Sequence, residues 1–189
     1  MTNSIKKSIC VFCGSRSGSQ PECRQAAQDI GARIANQGFR LVYGAGDIGL
    51  KGTVANAAQH AGGDILGVIP EHLVKWEFGK VDLTQYIVTE NIHERKTFMF
   101  MNSDAIITLP GGPGSLDELF EVLTWAQLGQ HDKPIYLLNV AGYWDPLIAL
   151  IEHQIAHGFA APSFRDFLKD FNDVDTLFAQ LQKDIYSHD

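Results

Sequence analysis

One glycine-rich segment, residues 110–118, carries the residue types best suited to chemistry in this chain: it reads Pro-Gly-Gly-Pro-Gly-Ser-Leu-Asp-Glu. Its three glycines let the backbone turn tightly and approach a ligand closely. An apolar run at 105–109 precedes it and a helix-patterned stretch at 119–128 follows it. The start of a helix offers free N–H groups and a positive dipole end, which together suit a phosphate. With Glu118 one turn further on, the segment predicts a bound phosphate beside a catalytic carboxylate.

The same residues have a structural interpretation. Ser115 and Glu118 fit a capping box, in which the serine caps the helix and the glutamate bonds back to the serine N–H. A capping box does not require Pro-Gly-Gly-Pro-Gly before it, and no Gly-Lys-Ser/Thr follows to make a P-loop. We therefore favour a functional role for the segment, although Glu118 could serve both purposes.

Two further segments could contact the same ligand. Residues 44–49, Gly-Ala-Gly-Asp-Ile-Gly, match G-x-G-x-x-G, but at the second strand-to-helix turn and with only Glu71 near the position of the ribose-binding acid. This favours contact with a nucleotide phosphate or ribose, or a tight turn with close helix packing, over NAD binding. Arg95 and Lys96 lie near a predicted helix start, where the dipole disfavours cations. They indicate either phosphate recognition or a solvated charged face.

Strands and helices alternate along the whole chain. The predicted strands are mostly apolar runs rather than alternating patterns, as in a sheet covered on both faces: 8–13, 39–43, 65–69, 85–89, 105–109, 134–138 and 168–171. The predicted helices are 21–37, 53–61, 92–102, 119–128, 144–157 and 174–183, and residues 70–84 are expected to be irregular. The pattern predicts one Rossmann-like domain over residues 1–189, a doubly wound parallel α/β sheet that binds its ligand at the carboxyl ends of the strands.

Composition excludes several classes of partner and site. The net charge of −7 and the absence of a basic stripe argue against nucleic acid, and we find no apolar run that could span a membrane and no signal peptide. Cys10 and Cys13 form a C-x-x-C within a predicted strand, where they would face opposite sides as core residues. His153 and His157 lack the intervening glutamate of a zinc protease and are expected to be exposed. A reduced, cytoplasmic protein is the simplest expectation.

Three ordered motifs give the chain a resemblance, over nearly its whole length, to the LONELY GUY (LOG) family. Residues 110–118 resemble the family's P-G-G-x-G-T-x-x-E, residues 43–52 its Y-G-G-G-x-x-G-L-M-G, and residues 93–99 its H-E-R-K-x-x-M. Residues 13–15 also resemble its first-strand loop. Here Ser115 replaces a threonine, Ala45 a glycine and Lys51 a methionine. Trp76 and Phe78 lie in a segment that varies within the family and bears on the preferred N6 substituent.

The resemblance implies a homodimeric cytokinin riboside 5′-monophosphate phosphoribohydrolase, a type of protein often mislabelled as lysine decarboxylase. Such an enzyme hydrolyses the N-glycosidic bond of AMP or an N6-substituted AMP, releasing a free base and ribose 5-phosphate. Arg95 and Glu118 match the catalytic pair, and neither a metal nor another cofactor is implied. The resemblance assigns substrate binding to Gly14, Ser15, Gly46, Lys96, Met99, Gly111, Gly112, Gly114 and Ser115.

Two other functions remain open at this stage. The chain could be a general AMP nucleosidase, or a non-catalytic carrier of a nucleotide or of the molybdenum cofactor, as some Rossmann-like relatives are. The presence of both Arg95 and Glu118 favours an enzyme. Whether Arg95 would contact the phosphate or ease departure of the base is not decided by the sequence.

Overall fold

A seven-stranded parallel sheet forms the centre of the molecule. The structure is a computed structural model, and it describes residues 6–74 and 83–186. Its strands are β1 (Ser8–Phe12), β2 (Arg40–Tyr43), β3 (Asp64–Pro70), β4 (Gln85–Thr89), β5 (Ala105–Thr108), β6 (Ile135–Leu138) and β7 (Leu168–Phe171). Each predicted strand is present, with ends within one residue of those expected.

Helices cover both faces of this sheet, as the apolar strand runs predicted. They are α1 (Pro21–Asn36), α2 (Gly49–His60), α3 (Ile92–Met101), α4 (Pro113–Gln127), α5 (Asp145–Ala156) and α6 (Val174–Tyr186). Alternate residues of a strand face opposite sides. Ile9 and Val11 accordingly pack in one core cluster with residues of α1, α2 and α6, whereas Cys10 and Phe12 pack in a second with α3, α4 and α5. The doubly wound α/β class is confirmed.

The order in which the chain adds strands to the sheet changes direction between β1 and β5. The strand order is β4-β3-β2-β1-β5-β6-β7, so the chain builds outward from β1 to one edge and then crosses back through α3 to β5. Loops leaving the carboxyl ends of two such neighbouring strands diverge and open a crevice. The glycine-rich segment 110–118 directly follows β5 and therefore starts at this crevice.

Two helices begin earlier than the sequence predicted. Helix α2 starts at Gly49 rather than residue 53, and α4 starts at Pro113 rather than near residue 119. The prediction treated the glycines as helix breakers, but the first turn of a helix tolerates residues that its interior does not. Proline at the first position already has a helical φ, and in α4 it follows the N-cap residue Gly112. Residues 113–118 of the second motif are therefore helical, whereas Gly49 begins α2 with a φ of +64°.

The C-x-x-C cysteines are core residues, as predicted. Cys10 and Cys13 are both buried and belong to the core clusters on opposite faces of the sheet. Burial raises the pKa of both thiols, that of Cys13 to about 12, which disfavours the reactive thiolate. His153 on α5 and His157, the residue after the end of that helix, are both exposed, also as predicted. Within residues 6–74 and 83–186 no cluster of side chains could hold a metal ion, and no helix is long and apolar enough to cross a bilayer.

The predicted irregular segment 70–84 can be followed only in part. Pro70 ends β3, and Glu71–Leu73 form a short 3-10 helix. Trp76 and Phe78, to which the family resemblance gave a bearing on the N6 substituent, lie outside the described residues.

Candidate active site

A cleft of about 250 Å³ opens where the sheet reverses. The loop after β1 and the first turns of α2, α3 and α4 converge on it, so that it lies at the positive ends of three helices. Its described lining consists of Cys13, Gly14, Ser15, Lys51, Ile92, Arg95, Lys96, Gly112, Pro113, Gly114, Ser115, Asp117 and Glu118. Three sequence motifs from distant parts of the chain therefore meet in one place.

Main-chain hydrogen bonds of Gly14 fix the loops around the cleft. Its N–H donates to the Pro110 carbonyl at 3.0 Å, which joins the loops after β1 and β5. Its carbonyl accepts from the N–H groups of Leu50 and Lys51, which supports the first turn of α2. Gly49 packs so closely here that a Cβ would lie 2.3 Å from the carbonyl of Ser15, and its φ is +64°. The last glycine of the G-x-G-x-x-G motif thus provides close packing beside the cleft.

The glycines of residues 110–118 have two different roles. A Cβ on Gly111 would lie 2.1 Å from Ser115 Oγ, so this glycine allows the motif to fold back on its own helix. A Cβ on Gly112 or Gly114 would meet no described atom within 4 Å, and both residues line the cleft. Gly111 is required by packing, whereas Gly112 and Gly114 leave space beside the start of α4 for a ligand.

The capping-box interpretation of Ser115 and Glu118 is wrong. Helix α4 has Gly112 as its N-cap, without a side-chain cap, and the Gly112 carbonyl accepts from the N–H groups of Ser115 and Leu116. Ser115 is therefore the third residue of the helix, and Glu118 lies in its second turn, too far along to bond back to the helix start. The true side-chain cap nearby is Asn91, whose Oδ1 accepts from the N–H groups of His93 and Glu94 at 3.0 Å.

Glu118 is a buried carboxyl that faces the cleft. Only 8% of the surface of Glu118 is exposed to solvent. Burial raises the pKa of Glu118 above its ordinary value, while the positive charges of Arg95 and Lys51 partly oppose this effect. A carboxylate with a raised pKa is a stronger base than a solvated one, and a pKa moved toward neutrality is typical of catalytic acids and bases.

Arg95 is held rigidly beneath the cleft. Its Nε donates to the Val68 carbonyl at 3.1 Å and its Nη2 to the Gly44 carbonyl at 2.7 Å, so the guanidinium bridges the ends of β2 and β3. Gly44 makes room for it, because a Cβ there would lie 1.8 Å from Nη2. The expectation of a solvated charged face does not apply to this side chain, which is 3% exposed.

Lys96 joins α3 to α4 across the mouth of the cleft. Its ammonium lies 2.9 Å from Asp117 Oδ2 and 3.1 Å from Glu121 Oε1. Burial alone would lower the pKa of Lys96, but the hydrogen bonds to these two carboxylates outweigh it and raise the pKa. Lys96 lines the cleft as a cation that is paired with two carboxylates.

The remaining predicted site residues lie outside this cleft as the described residues define it. Gly111 lines a larger neighbouring cleft, of about 740 Å³, on the other side of the glycine motif. Gly46 is buried in the loop after β2, and Met99 is buried in the core among α3, α4 and α5. Conversely, the sequence did not single out Asp117 or Tyr143. Tyr143 follows β6, at the same edge of the sheet, and its hydroxyl donates to the Gly111 carbonyl at 2.6 Å.

Solved structures share this architecture at low sequence identity. The Moco carrier protein from Chlamydomonas reinhardtii superposes with a TM-score of 0.71 at 20% identity, covering 95% of this chain and 97% of that one. The molybdenum cofactor binding protein from Rippkaea orientalis gives a TM-score of 0.72 at 21% identity, covering 97% and 99%. Such low identities establish the fold alone.

Sequence similarity to curated proteins is much closer. The chain is 42% identical over 182 residues to the probable cytokinin riboside 5′-monophosphate phosphoribohydrolase LOG6 of Arabidopsis thaliana, covering 96% of this chain and 90% of that protein. It is 42% identical over 182 residues to LOG7 of the same plant, covering 96% and 84%. The model of the family described as "Possible lysine decarboxylase" matches residues 51–181. The chain therefore belongs to the LOG family, as its three motifs predicted.

Proposed function

We propose that this protein hydrolyses the N-glycosidic bond of adenosine 5′-monophosphates, including N6-substituted ones, and releases the free base and ribose 5-phosphate. The observation that carries the proposal is the buried carboxyl of Glu118, which faces a cleft at the start of α4 with Arg95 beside it. The relatives at about 40% identity are named for this reaction on cytokinin riboside 5′-monophosphates.

The 5′-phosphate would lie at the start of α4. Gly112 and Gly114 leave open space there, and Ser115 adds a hydroxyl. Helix N-termini bind phosphates through their free N–H groups and the helix dipole. Binding the phosphate would fix the ribose so that its anomeric carbon lies near Glu118, and binding energy from this remote group would thus aid the reacting centre.

Glu118 would act as the general base. Cleavage of a glycosidic bond passes through an oxocarbenium-like state, which a nearby carboxylate stabilises. As the bond from the anomeric carbon to the base nitrogen breaks, the base leaves with the electron pair and water adds to the carbon. Glu118 takes the proton of that water, and one proton is returned to the departing base. Arg95, fixed by two carbonyls, would stabilise the negative charge on the phosphate or on the leaving base.

Replacing Gly114 with alanine is expected to weaken substrate binding without loss of stability. The new methyl group would occupy open space in the cleft, and alanine is a better helix former than glycine by up to about 1 kcal/mol. We expect the KM for AMP to rise at least about tenfold and the melting temperature to stay constant or rise. Gly111→Ala is the matched control: its Cβ would clash with Ser115, so its melting temperature should fall. Unchanged KM in a stable Gly114→Ala would contradict a phosphate site here.

The pH dependence of the reaction should report the charges around Glu118. As a base, Glu118 must be ionised, so kcat/KM should fall as the pH drops through its raised pKa. Lys51 lowers the pKa of Glu118, so Lys51→Met should raise that pKa and move the acid limb of the profile to higher pH. Lys183→Met, which removes an exposed lysine from α6, should leave the limb in place. An acid limb that stays fixed or moves to lower pH in Lys51→Met would contradict this role.

A comparison of three substrates tests the proposed function. Release of base from AMP, N6-isopentenyl-AMP and adenosine should be followed by chromatography. We expect release from both monophosphates and little from adenosine, which lacks the phosphate. Faster release from N6-isopentenyl-AMP would identify a cytokinin-forming enzyme, whereas faster release from AMP would identify a general AMP nucleosidase. Equal rates with and without the phosphate would contradict the assigned phosphate site.

We further propose that the protein acts as a homodimer in the cytoplasm. Several large apolar side chains on or just after α3, α4 and α5 are exposed, and a second copy would cover them: Met101, Leu128, Leu150 and Phe159. The three described cysteines are unpaired thiols, which suits a reducing compartment. The net charge of −7 opposes binding to a nucleic-acid backbone or an anionic membrane.

A further inference from the structure

We infer that Tyr143 is a positioning residue for the phosphate site, an inference that rests on the proposed function. Tyr143 lies in the loop between β6 and α5 and contacts the glycine motif from the side away from Glu118. Its phenolic hydroxyl donates to the carbonyl oxygen of Gly111 at 2.6 Å. No motif singled out in the sequence includes this residue.

The hydrogen bond from Tyr143 to the Gly111 carbonyl also sets the direction of the Gly112 N–H, because both groups belong to one planar peptide. In a trans peptide the C=O of one residue and the N–H of the next point in opposite directions. Tyr143 holds the Gly111 carbonyl on its own side, so the N–H of Gly112 points away from Tyr143. Gly112 lines both the cleft that contains Glu118 and the larger neighbouring cleft, whereas Tyr143 lines only the larger one, so an N–H that points away from Tyr143 faces the side of Glu118. The hydroxyl thus fixes a peptide N–H in the orientation that an anion at the start of α4 requires.

The loop that carries Tyr143 is built to hold it in place. Ala141 and Gly142, the two residues before it, have φ values of +51° and +72°. For alanine this left-handed conformation is unfavourable, so neighbouring contacts must stabilise it. The buried Asn139 does so, because its side chain accepts from the Trp144 N–H and donates to Asp145 Oδ1, both at 2.7 Å. A strained loop held this firmly is typical of a functional position.

Glycine makes the orientation of this peptide dependent on an external contact. Gly112 has no side chain to restrict its backbone, and a Cβ there would meet no described atom within 4 Å. The Gly111–Gly112 peptide could therefore rotate if the hydroxyl were absent, and binding an anion would then require ordering it first. The hydrogen bond from Tyr143 orders this peptide before the anion binds. Tyr143 therefore raises the affinity for the anion without contacting the reacting atoms.

The test compares Tyr143→Phe with the wild-type protein. Phenylalanine keeps the ring, which packs edge to face on Trp144 at 4.8 Å, and removes only the hydroxyl. Loss of one hydrogen bond should weaken binding of inorganic phosphate and raise the KM for AMP by about threefold to tenfold. We expect kcat to stay within about twofold and kcat/KM for adenosine to be unchanged. Tyr136→Phe is the control. It removes the hydroxyl of a tyrosine in β6 that donates to Asp184, so it should lower the stability of the protein but leave its affinity for phosphate unchanged.

The outcomes separate this inference from the proposed function. If the wild-type protein hydrolyses AMP and Tyr143→Phe binds phosphate equally well, the positioning role is wrong and the proposed function stands. Equal losses for AMP and adenosine would also overturn it, because they would indicate a general structural role. If the wild-type protein neither binds phosphate nor releases base, both fail together.

Discussion

Glu118→Gln is expected to abolish base release while leaving the binding of AMP nearly intact. Glutamine keeps the shape of the side chain but cannot take a proton from water or balance a developing positive charge. Removal of a general base costs typically 10²–10⁴ in rate, so we expect kcat to fall by at least about 10³ once the electrostatic role is included. Chromatography measures the rate and calorimetry the affinity for AMP. Glu152→Gln, at an exposed ion pair with Arg165 outside the cleft, should retain full activity.

The same substitution should stabilise the protein at neutral pH. The folded-state pKa of Glu118 is raised by burial, so folding favours the protonated form and its contribution to stability is lost as the pH rises through that pKa. A neutral glutamine avoids the cost of burying the charge. The melting temperature of Glu118→Gln should therefore exceed that of the wild type at pH 7, and the difference should shrink at a pH below the ordinary pKa of glutamate. An inactive variant that is also less stable at pH 7 would instead indicate a structural role.

Gly44→Ala is expected to inactivate the protein by displacing an arginine that it leaves chemically intact. The added Cβ would lie 1.8 Å from Nη2 of Arg95 and 2.8 Å from Cζ, so the guanidinium must leave its two carbonyl partners. A displacement of about 1 Å in an active site can cost about 10²-fold in rate. We expect kcat/KM to fall by about 10² to 10³, close to the loss in Arg95→Ala.

A double-mutant cycle makes this prediction specific. If Gly44→Ala acts only through Arg95, it should have little further effect on kcat/KM once Arg95 is alanine. Circular dichroism should show that each variant is folded before its rate is compared. Additive losses in the double variant would mean that Gly44 serves the cleft in another way, and full activity in Gly44→Ala would contradict the role of Arg95.

The sequence was sufficient to predict the fold because the signals for it are local. Mostly apolar strands alternate with helix-patterned segments, and this alternation indicates a parallel sheet covered on both faces. The sequence predicted the starts of helices less well. Helices α2 and α4 begin at Gly49 and Pro113, within glycine-rich segments that predicted turns. In a sequence, a glycine indicates the end of a helix or strand. In the structure, the carbonyl of Gly14 accepts hydrogen bonds from the first turn of α2, which the sequence does not show.

The candidate site was predictable to the extent that its residues lie in motifs. Glu118, Arg95, Ser115 and the cleft-lining glycines converge as the three motifs indicated. Met99 shares the motif and the helix face of Arg95, yet it lies one turn further along α3, where it packs in the core and does not line the cleft. Tyr143 could not be found from spacing, since its contact with Gly111 joins residues 32 positions apart. The ion pair of Lys96 with Asp117 likewise depends on how α3 packs against α4.

The most direct test of the central claim is a multiple-turnover assay with the wild-type protein and N6-isopentenyl-AMP or AMP in large excess. We expect free base and ribose 5-phosphate to accumulate in equal amounts, far beyond the amount of protein present. A protein that binds AMP but returns it unchanged, with no base released over many hours, would contradict the enzyme and indicate a nucleotide carrier on the same fold.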